Sequence, residues 1–126
     1  MKELTRAEEQ IMMILWKIKK GFVKEILEHF DDPKPAYNTV STIVRILQEK
    51  GFVRHKAYGR THEYYPLITK KEYSKMHMGT FINSYFANSF EQMVSFFAQE
   101  KQISVNEMED IMNLMSKEIE KQKKTK

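Results

Sequence analysis

Four polar side chains recur at helical spacing between Tyr37 and Phe52, in the stretch YNTVSTIVRILQEKGF. If this stretch is a helix, the spacing i, i+3, i+4, i+7 places on one face Asn38, Ser41, Thr42 and Arg45. Amide, hydroxyl and guanidinium groups form hydrogen bonds with base edges and phosphates, whereas a merely solvated helix face carries mostly Glu and Lys. This face predicts contact with a dense polar ligand, and the major groove of DNA fits it best.

The opposite face of the same helix is apolar, and it consists of Val40, Ile43, Val44 and Leu47. An apolar stripe of this kind packs against a core, which would turn the polar face outward. Thr39 adds a hydroxyl beside the polar face, where it and Ser41 suit phosphate contacts. Two alternatives stay open: Asn38 can be only a helix cap, and Arg45 can bind guanine or hold a phosphate.

Positive charge is concentrated around this helix. The chain has a net charge of +4, and the segment from Pro33 to Tyr65 accounts for all of it. Against Glu49 and Glu63 this segment carries the basic residues Lys34, Arg45, Lys50, Arg54, Lys56 and Arg60. A basic patch is the usual electrostatic signature of phosphate binding, because phosphate contacts release counterions. We therefore expect double-stranded DNA as a partner.

Composition excludes several other classes of protein. The chain has no cysteine, so disulfides, thiolate metal sites and cysteine nucleophiles are absent. No apolar run approaches the roughly 20 residues that span a bilayer. The segment Met1 to Gln10 is too charged for a signal peptide. We expect no membrane insertion and a cytoplasmic location.

The other candidates for chemistry fit structural roles better than catalytic ones. The histidines lack the spacing of a zinc site, and they are His29, His55, His62 and His77. Methionines at helical spacing are more often pliable packing than soft-metal ligands, and Trp16 on an apolar stripe is more often part of a core. The sequence has no glycine-rich phosphate loop and no nucleophile elbow. We expect no enzyme, no bound metal and no cofactor.

Three helices are predicted to hold the polar face in place. Thr5 and Glu8 have the spacing of a capping box, which starts a first helix that lasts until Gly21. A second helix is predicted from Phe22 to Phe30, before prolines that cannot continue it. The helix with the polar face follows, and Gly51 closes it.

A hairpin is predicted directly after this third helix. Its strands, Phe52 to Lys56 and His62 to Pro66, favour β structure and flank the turn Tyr58-Gly59-Arg60. Three helices followed by a basic hairpin is the order of a winged helix-turn-helix, in which the third helix enters the major groove. The expected fold is mainly α with a small β wing. The wing would contact the DNA backbone through Arg54, Lys56 and Arg60.

A region of different composition begins after this hairpin. From Thr69 helix formers continue without a turn signal to about Gln102–Asn106. A further helix is predicted there, with Asn106 as its cap and Glu109 three residues later. The tail from Lys121 to Lys126 is polar and predicted to be frayed.

We predict a winged helix-turn-helix domain at residues 1–69 and a helical dimerisation arm at 70–126. The arm is expected to form two or three helices, and it has more large apolar side chains than so few helices can bury among themselves. Burial against a second copy would cover them, and two-fold dimers are the commonest soluble assembly. The predicted interface residues are Phe81, Tyr85, Phe86, Phe90, Met93, Phe97, Met108, Met112 and Met115.

Taken together, four segments resemble the penicillinase and methicillin-resistance repressors (BlaI/MecI type), whose relatives include copper-responsive CopY-type repressors. The segments are LTRAEEQIMMILWK, NTVSTIVRILQEKGFV, HKAYGRTHEYYPL and the helical arm after ITKKEY. The resemblance implies a homodimeric transcriptional repressor that binds a palindromic operator. It also implies that the main DNA-facing residues are Thr39, Ser41, Thr42 and Arg45.

The same resemblance implies how repression is relieved. In the β-lactam branch, a membrane sensor with a metallopeptidase domain triggers cleavage within the arm. The corresponding place here is Ser95–Ala98, with Phe96 and Phe97 at the cut, and Phe96 stands where those repressors have asparagine. The copper-responsive branch binds metal through C-terminal cysteine pairs, which this chain lacks.

A second function remains open on the sequence. Winged helices also bind proteins with the same surface, so the alternative is a protein-protein interaction module without operator binding. A salt titration separates the two functions, because phosphate contacts make DNA affinity fall steeply with salt.

Overall fold

Three helices and a small sheet precede three further helices. The structure is a computed structural model that describes residues 3–125. In chain order its elements are α1 Arg6–Ile18, β1 Gly21–Phe22, α2 Val23–Glu28, α3 Tyr37–Glu49, β2 Val53–Tyr58, β3 Thr61–Pro66, α4 Lys70–Phe86, α5 Phe90–Gln99 and α6 Val105–Lys124. The predicted class, mainly α with a small β element, is confirmed.

The capping box at the start of α1 is confirmed. The Glu8 backbone N–H donates to Thr5 Oγ1 at 3.2 Å, and the Thr5 N–H donates to Glu8 Oε1 at 2.9 Å. Glu8 is nevertheless buried, with 5% of its surface exposed. Its carboxylate is paired with Lys50 beyond the end of α3, whose Nζ donates to Glu8 Oε1 at 2.7 Å. The cap of one helix is therefore tied to the end of another.

One hydrophobic core joins α1, α2, α3 and the sheet. The apolar stripe of α1 supplies Ile11, Met12 and Leu15, and that of α3 supplies Val40, Val44 and Leu47, all fully buried. Phe52 and Val53 close this core at the base of the hairpin, where both are fully buried. The α3 stripe faces inward as predicted, except that Ile43 is only partly buried.

Trp16 packs against the core, as predicted from its place on the stripe. Its indole Nε1 donates to the Ile68 carbonyl at 2.8 Å, and its ring centroid lies 5.6 Å from that of Tyr73. The Tyr73 hydroxyl donates to Glu9 Oε2 at 3.0 Å. Burial, together with this hydrogen bond, raises the pKa of Tyr73 to about 12. The hydroxyl therefore stays protonated and tethers the start of α4 to α1.

The sheet has one strand more than the hairpin that was predicted. Its order is β1-β3-β2, and both pairings are antiparallel. Strands β2 and β3 form the hairpin with Tyr58 opposite Thr61, and Gly59 in the turn has φ 63°. Strand β1 is only Gly21–Phe22, where the sequence predicted the start of a helix. Two residues have too little pattern to reveal a strand that exists only by pairing with β3.

The second helix is shorter than predicted, and the third ends where expected. Helix α2 occupies only Val23–Glu28, because Phe22 is taken into β1 and becomes its N-cap. Helix α3 begins at Tyr37 with Ala36 as N-cap. Gly51 follows its end with φ 86°, a left-handed conformation that favours glycine.

No turn signal was found in the sequence between Thr69 and about Gln102, but the structure has a turn there. Helix α4 stops at Phe86, and Ala87 and Asn88 both adopt positive φ, 49° and 62°. Ser89 then caps α5 by accepting the Gln92 N–H at 3.2 Å. The sequence did contain a signal for this turn: Asn88 is a residue type that tolerates the left-handed region, and Ser89 is a residue type that caps helices.

The last helix begins earlier and continues longer than predicted. Its N-cap is Ser104 rather than Asn106, and Ser104 forms a capping box with Glu107. The helix then extends to Lys124, so the prediction of a frayed tail was wrong for Lys121 to Lys124. Lys126 lies outside the described residues.

The chain divides into two compact units between Met76 and His77. Within the second unit, Phe86 contacts three other rings, with centroid distances of 5.8 Å to Phe81, 5.7 Å to Phe96 and 6.5 Å to Phe97. Ile82 is also buried in the described structure. The division into a DNA-binding domain at 1–69 and a dimerisation arm at 70–126 stays a prediction.

The Glu8–Lys50 pair leads to a test of what holds α3 in place. Burial alone would raise the pKa of Glu8, but hydrogen bonds from Lys50 and the Thr5 amide outweigh it, so the pKa lies below the usual 4.5. Glu8→Gln should reduce the free energy of unfolding by about 2 kcal/mol at neutral pH, because Lys50 loses its buried partner. Denaturation followed by the fluorescence of the single Trp16 measures this change.

The stability difference between wild type and Glu8→Gln should depend on pH, because the pKa of Glu8 is lowered in the folded protein. A lowered pKa in the folded state stabilises the protein above the unfolded value, and this stabilisation is lost as the pH falls through the folded value. The difference between wild type and Glu8→Gln should therefore shrink below pH 4.5. Glu28→Gln, which changes an exposed glutamate, is the matched control. A difference that persists unchanged at low pH would contradict the ion pair.

Candidate nucleic-acid interface

The centre of the outer face of α3 is polar and exposed. Asn38, Thr42 and Arg45 all lie there, as their spacing predicted. The Arg45 guanidinium is loosely held over its own helix, with Nε 3.4 Å from the Ser41 carbonyl and Nη2 3.5 Å from Thr42 Oγ1. Both are long hydrogen bonds between exposed groups, so the side chain can extend toward a ligand at little cost.

The alternative role for Asn38 as a helix cap does not hold. The N-cap of α3 is Ala36, which makes no side-chain cap hydrogen bond. The Thr39 N–H donates instead to the Ala36 carbonyl at 3.0 Å. Asn38 lies inside the first turn with its side chain exposed, so its amide is available to a ligand.

Thr39 and Ser41 lie on opposite flanks of α3. Thr39 borders a shallow depression beside α1, next to Ala7 and Gln10. Ser41 borders a cleft that faces the hairpin, next to Arg60. The two hydroxyls therefore lie on the two sides of the exposed face, and this face is wider than a single helical stripe.

The hairpin is fixed to α3 through its inner surface. His55 Nδ1 donates to Gln48 Oε1 at 2.6 Å, and the His55 and His62 rings stack with centroids 4.0 Å apart and planes 6° from parallel. Tyr64, opposite His55 in the register, is buried beneath this stack. Burial raises the pKa of Tyr64, although the positive charge of Arg45 opposes the shift. The hydroxyl of Tyr64 therefore remains neutral at the edge of the polar face.

The three hairpin cations that were predicted to contact the DNA backbone lie in two different places. Arg54 and Lys56 alternate with His55 along β2, so they lie on the sheet face turned away from α3. Lys56 Nζ lies 5.3 Å from the centroid of the Tyr58 ring. Arg60 lies in the turn and borders the cleft that contains Ser41. Of the three cations, Arg60 is the one that the fold brings beside α3.

Two lysines of the basic segment are engaged elsewhere. Lys50 forms the buried pair with Glu8, and Lys34 Nζ donates to the carbonyls of Glu28 and Phe30. The charge of Lys50 is compensated by the Glu8 carboxylate, whereas Lys34 keeps its charge. The basic patch is therefore smaller than the sequence suggested.

Lys24 and Tyr37 were missed by the sequence analysis. Both border the cleft between α2, α3 and the hairpin, together with Ser41 and Arg60. Lys24 carries an exposed charge in the first turn of α2, and Tyr37 is 53% exposed at the start of α3. A large exposed aromatic residue beside a polar helical face was the signal that could have identified Tyr37.

The predicted interface residues of the arm fall into two groups. Partly buried in the described structure are Phe81, Phe86, Met93, Phe97 and Met108. Exposed are Tyr85, Phe90, Met112 and Met115. Helix α6 carries the longest exposed apolar row, because Ile111, Met112, Met115 and Ile119 recur at helical spacing.

The segment Ser95–Ala98 lies inside α5. Phe96 is 48% exposed, and Phe97 is partly buried. A peptidase binds its substrate in an extended conformation, so cutting here requires α5 to open first. Helices shorter than about 12–15 residues are marginal on their own in water, and α5 has 10 residues.

Within residues 3–125, no group of three or more histidine or acidic side chains is placed to hold a metal ion. No helix in that part of the chain is both long and apolar enough to cross a membrane.

Three helices, a short first strand and a hairpin packed against the third helix define the winged helix-turn-helix class of DNA-binding domains. The chain belongs to the penicillinase repressor family, which it matches over residues 4–117. This agrees with the expectation that the chain is not an enzyme. The family predicted from the four sequence segments is confirmed.

Individual relatives cover nearly the whole chain. The methicillin resistance regulatory protein MecI of Staphylococcus aureus (strain N315) is 27% identical over 116 residues, which is 91% of this chain and 94% of that protein. The penicillinase repressor of Bacillus licheniformis is 23% identical over 114 residues, 90% of this chain and 89% of the relative. A solution structure of the DNA-binding domain of the repressor BlaI matches with a TM-score of 0.49 and 26% identity, over 58% of this chain and 94% of that one.

Proposed function

We propose that the chain is a homodimeric transcriptional repressor that binds a palindromic operator. The observation that carries the proposal is the outer face of α3, where Asn38, Thr42 and Arg45 are exposed on a helix whose other side is locked in the core. Membership of the penicillinase repressor family supports it. In the cytoplasm, such a protein would act directly on the DNA it regulates.

The two flanks of α3 suit the two strands that border a major groove. Arg45 at the centre would reach a base edge, and Thr39 and Ser41 would each donate to a phosphate on its own side. Arg60 of the wing would add a charge to the strand nearest Ser41. Arg54 and Lys56 would contribute long-range attraction from the outer face of the sheet.

Two copies of this unit would give the affinity that one lacks. Each small module makes few contacts, so joining two on a palindrome raises the apparent affinity through effective concentration. The exposed apolar side chains of the arm support its association, because Met112 of α6 is 68% exposed and Phe90 of α5 is 66% exposed. A two-fold dimer would place two recognition helices on half-sites separated by about one helical turn or a multiple of it.

Relief of repression is proposed to act on this dimer. A membrane sensor with a metallopeptidase domain would lead to a cut at Phe96–Phe97 after α5 opens. The cut would separate α6 from the winged unit and leave α3 unchanged. Operator affinity would then fall because the second copy is lost, without damage to the DNA-facing residues.

Arg45→Ala tests the DNA-facing role. Affinity for an operator should fall by about tenfold to a hundredfold, because one bidentate base contact accounts for about 1–3 kcal/mol of discrimination. The operator can be obtained by selection from random duplexes of about 30 base pairs, long enough for two half-sites. Fluorescence anisotropy then measures binding, with Lys17→Ala on α1 as the control.

The outcomes distinguish an operator-binding repressor from a protein-protein interaction module. A dimer that binds the selected duplex equally well with and without Arg45 would contradict the placement of α3 in the groove. If selection enriches no sequence and binding to duplex does not weaken with salt, the protein is an interaction module instead.

Met112→Glu tests the dimer. It places a charge within the exposed apolar row of α6 and acts twice in a two-fold interface, so the protein should sediment as a monomer at micromolar concentration. Its helix content should not change, because Met112 is exposed in the described chain. Asn113→Glu adds the same charge one position further, on the other side of α6, and should remain dimeric. A Met112→Glu protein that stays dimeric excludes this row as the interface.

Co-expression with the membrane sensor metallopeptidase under antibiotic stress tests the cut. Mass spectrometry should detect an N-terminal fragment that ends near Phe96, and a catalytically inactive sensor should give none. A chain that remains intact beside an active sensor would show that another signal relieves repression.

A further inference from the structure

A half-open cavity of about 450 Å³ lies between α2, α3 and β3, and we call it the wing cleft. Its walls include Phe22, Tyr37 and Tyr64, and its polar groups include Lys24, Ser41 and Arg60. This volume falls within the range of roughly 300–1,000 Å³ that is usual for small-molecule sites. The cleft lies within the first compact unit.

Three aromatic residues, Phe22, Tyr37 and Tyr64, border the wing cleft. Phe22 is held against Tyr58 with ring centroids 5.8 Å apart, and Tyr64 is held beneath the stacked histidines. These contacts keep the rings in place without a ligand. Sugar and phosphate are recognised by cations and hydroxyls, whereas ring faces bind flat apolar groups. The DNA backbone alone would therefore leave most of this wall unused.

The charge around the wing cleft is positive. Lys24 and Arg60 are exposed, and neither side chain forms an ion pair or a hydrogen bond within the described chain. One carboxylate, that of Glu25, also borders the cleft, but it accepts the Phe22 N–H at 2.9 Å. Lys24 and Arg60 outnumber this one carboxylate, so the rim of the wing cleft has a net positive charge.

We propose that the wing cleft binds a small aromatic carboxylate. The flat ring lies among Phe22, Tyr37 and Tyr64, and the carboxylate binds Lys24 and Arg60 at the rim. The second part of the proposal rests on the proposed function: the ligand occupies the space beside Ser41 and Arg60, so it competes with operator DNA. The cleft is thus an effector site that relieves repression without a cut in the arm.

Binding of 2-naphthoate to the full-length protein tests the first part. Amide signals of residues 22–24, 37–41 and 60–64 should shift in NMR spectra as the ligand is added. The dissociation constant should be about 1 mM or lower, by the ligand efficiency usual for compounds of this size. Lys24→Gln should weaken binding about threefold to tenfold through loss of a charge-assisted contact, and Lys17→Gln on α1 should leave it unchanged.

Three results would overturn this part of the proposal. One is the absence of shifts in these segments, and another is equal binding of the uncharged analogue 2-naphthalenemethanol, which would remove the role of the cations. The third is that inorganic phosphate alone shifts the same amides with equal affinity, which would make the cleft a phosphate site.

Competition with DNA tests the second part. Saturating 2-naphthoate should reduce operator affinity at least tenfold in the wild type and less in Lys24→Gln. If the naphthoate binds in the cleft and the operator binds with unchanged affinity, the effector role is wrong. If the naphthoate binds and no operator can be selected, the proposed function fails while the ligand site stands.

Discussion

Burial of one side of α3 is the constraint on which the rest of this protein depends. Val40, Val44 and Leu47 are fully enclosed by α1, α2 and the sheet, so the helix cannot rotate about its axis without exposing them. The orientation of α3 about its own axis determines which polar side chains face outward. A core made of apolar groups therefore determines the orientation of the groups proposed to read DNA.

Two polar contacts add what apolar packing alone does not supply, because hydrophobic burial has no direction. The Glu8–Lys50 pair ties the end of α3 to the start of α1, and the Gln48–His55 hydrogen bond ties α3 to the wing. Both contacts lie at the C-terminal end of α3, where Gln48 and Lys50 are two residues apart. They hold this end of the helix against the wing and against α1, which is what a preformed binding surface requires.

In the arm, part of the apolar surface is packed and part of it is exposed. Its aromatic cluster around Phe86 buries part of the apolar surface, and the row on α6 that includes Met112 remains exposed. The proposed control by cleavage acts on this unit, and the proposed effector acts on the wing cleft. The first would change how many copies bind and the second whether a copy can bind, so the two could operate independently.

Local patterns in the sequence determined α1, α3, the hairpin and the polar face, because periodicity and the Thr5 cap act over a few residues. The break at Ala87 and Asn88 and the Ser104 cap were equally local, and they were missed because their signals are weaker than a glycine or a proline. Only the tertiary structure decided the rest. Strand β1 exists through its pairing with β3, and Lys50 leaves the basic patch because Glu8, far away in sequence, is its partner. Thr39 and Ser41 lie on opposite flanks of α3, and Lys24 lies with Arg60 at one cleft. These positions result from packing against other elements. Spacing along one helix carries no information about which elements those are.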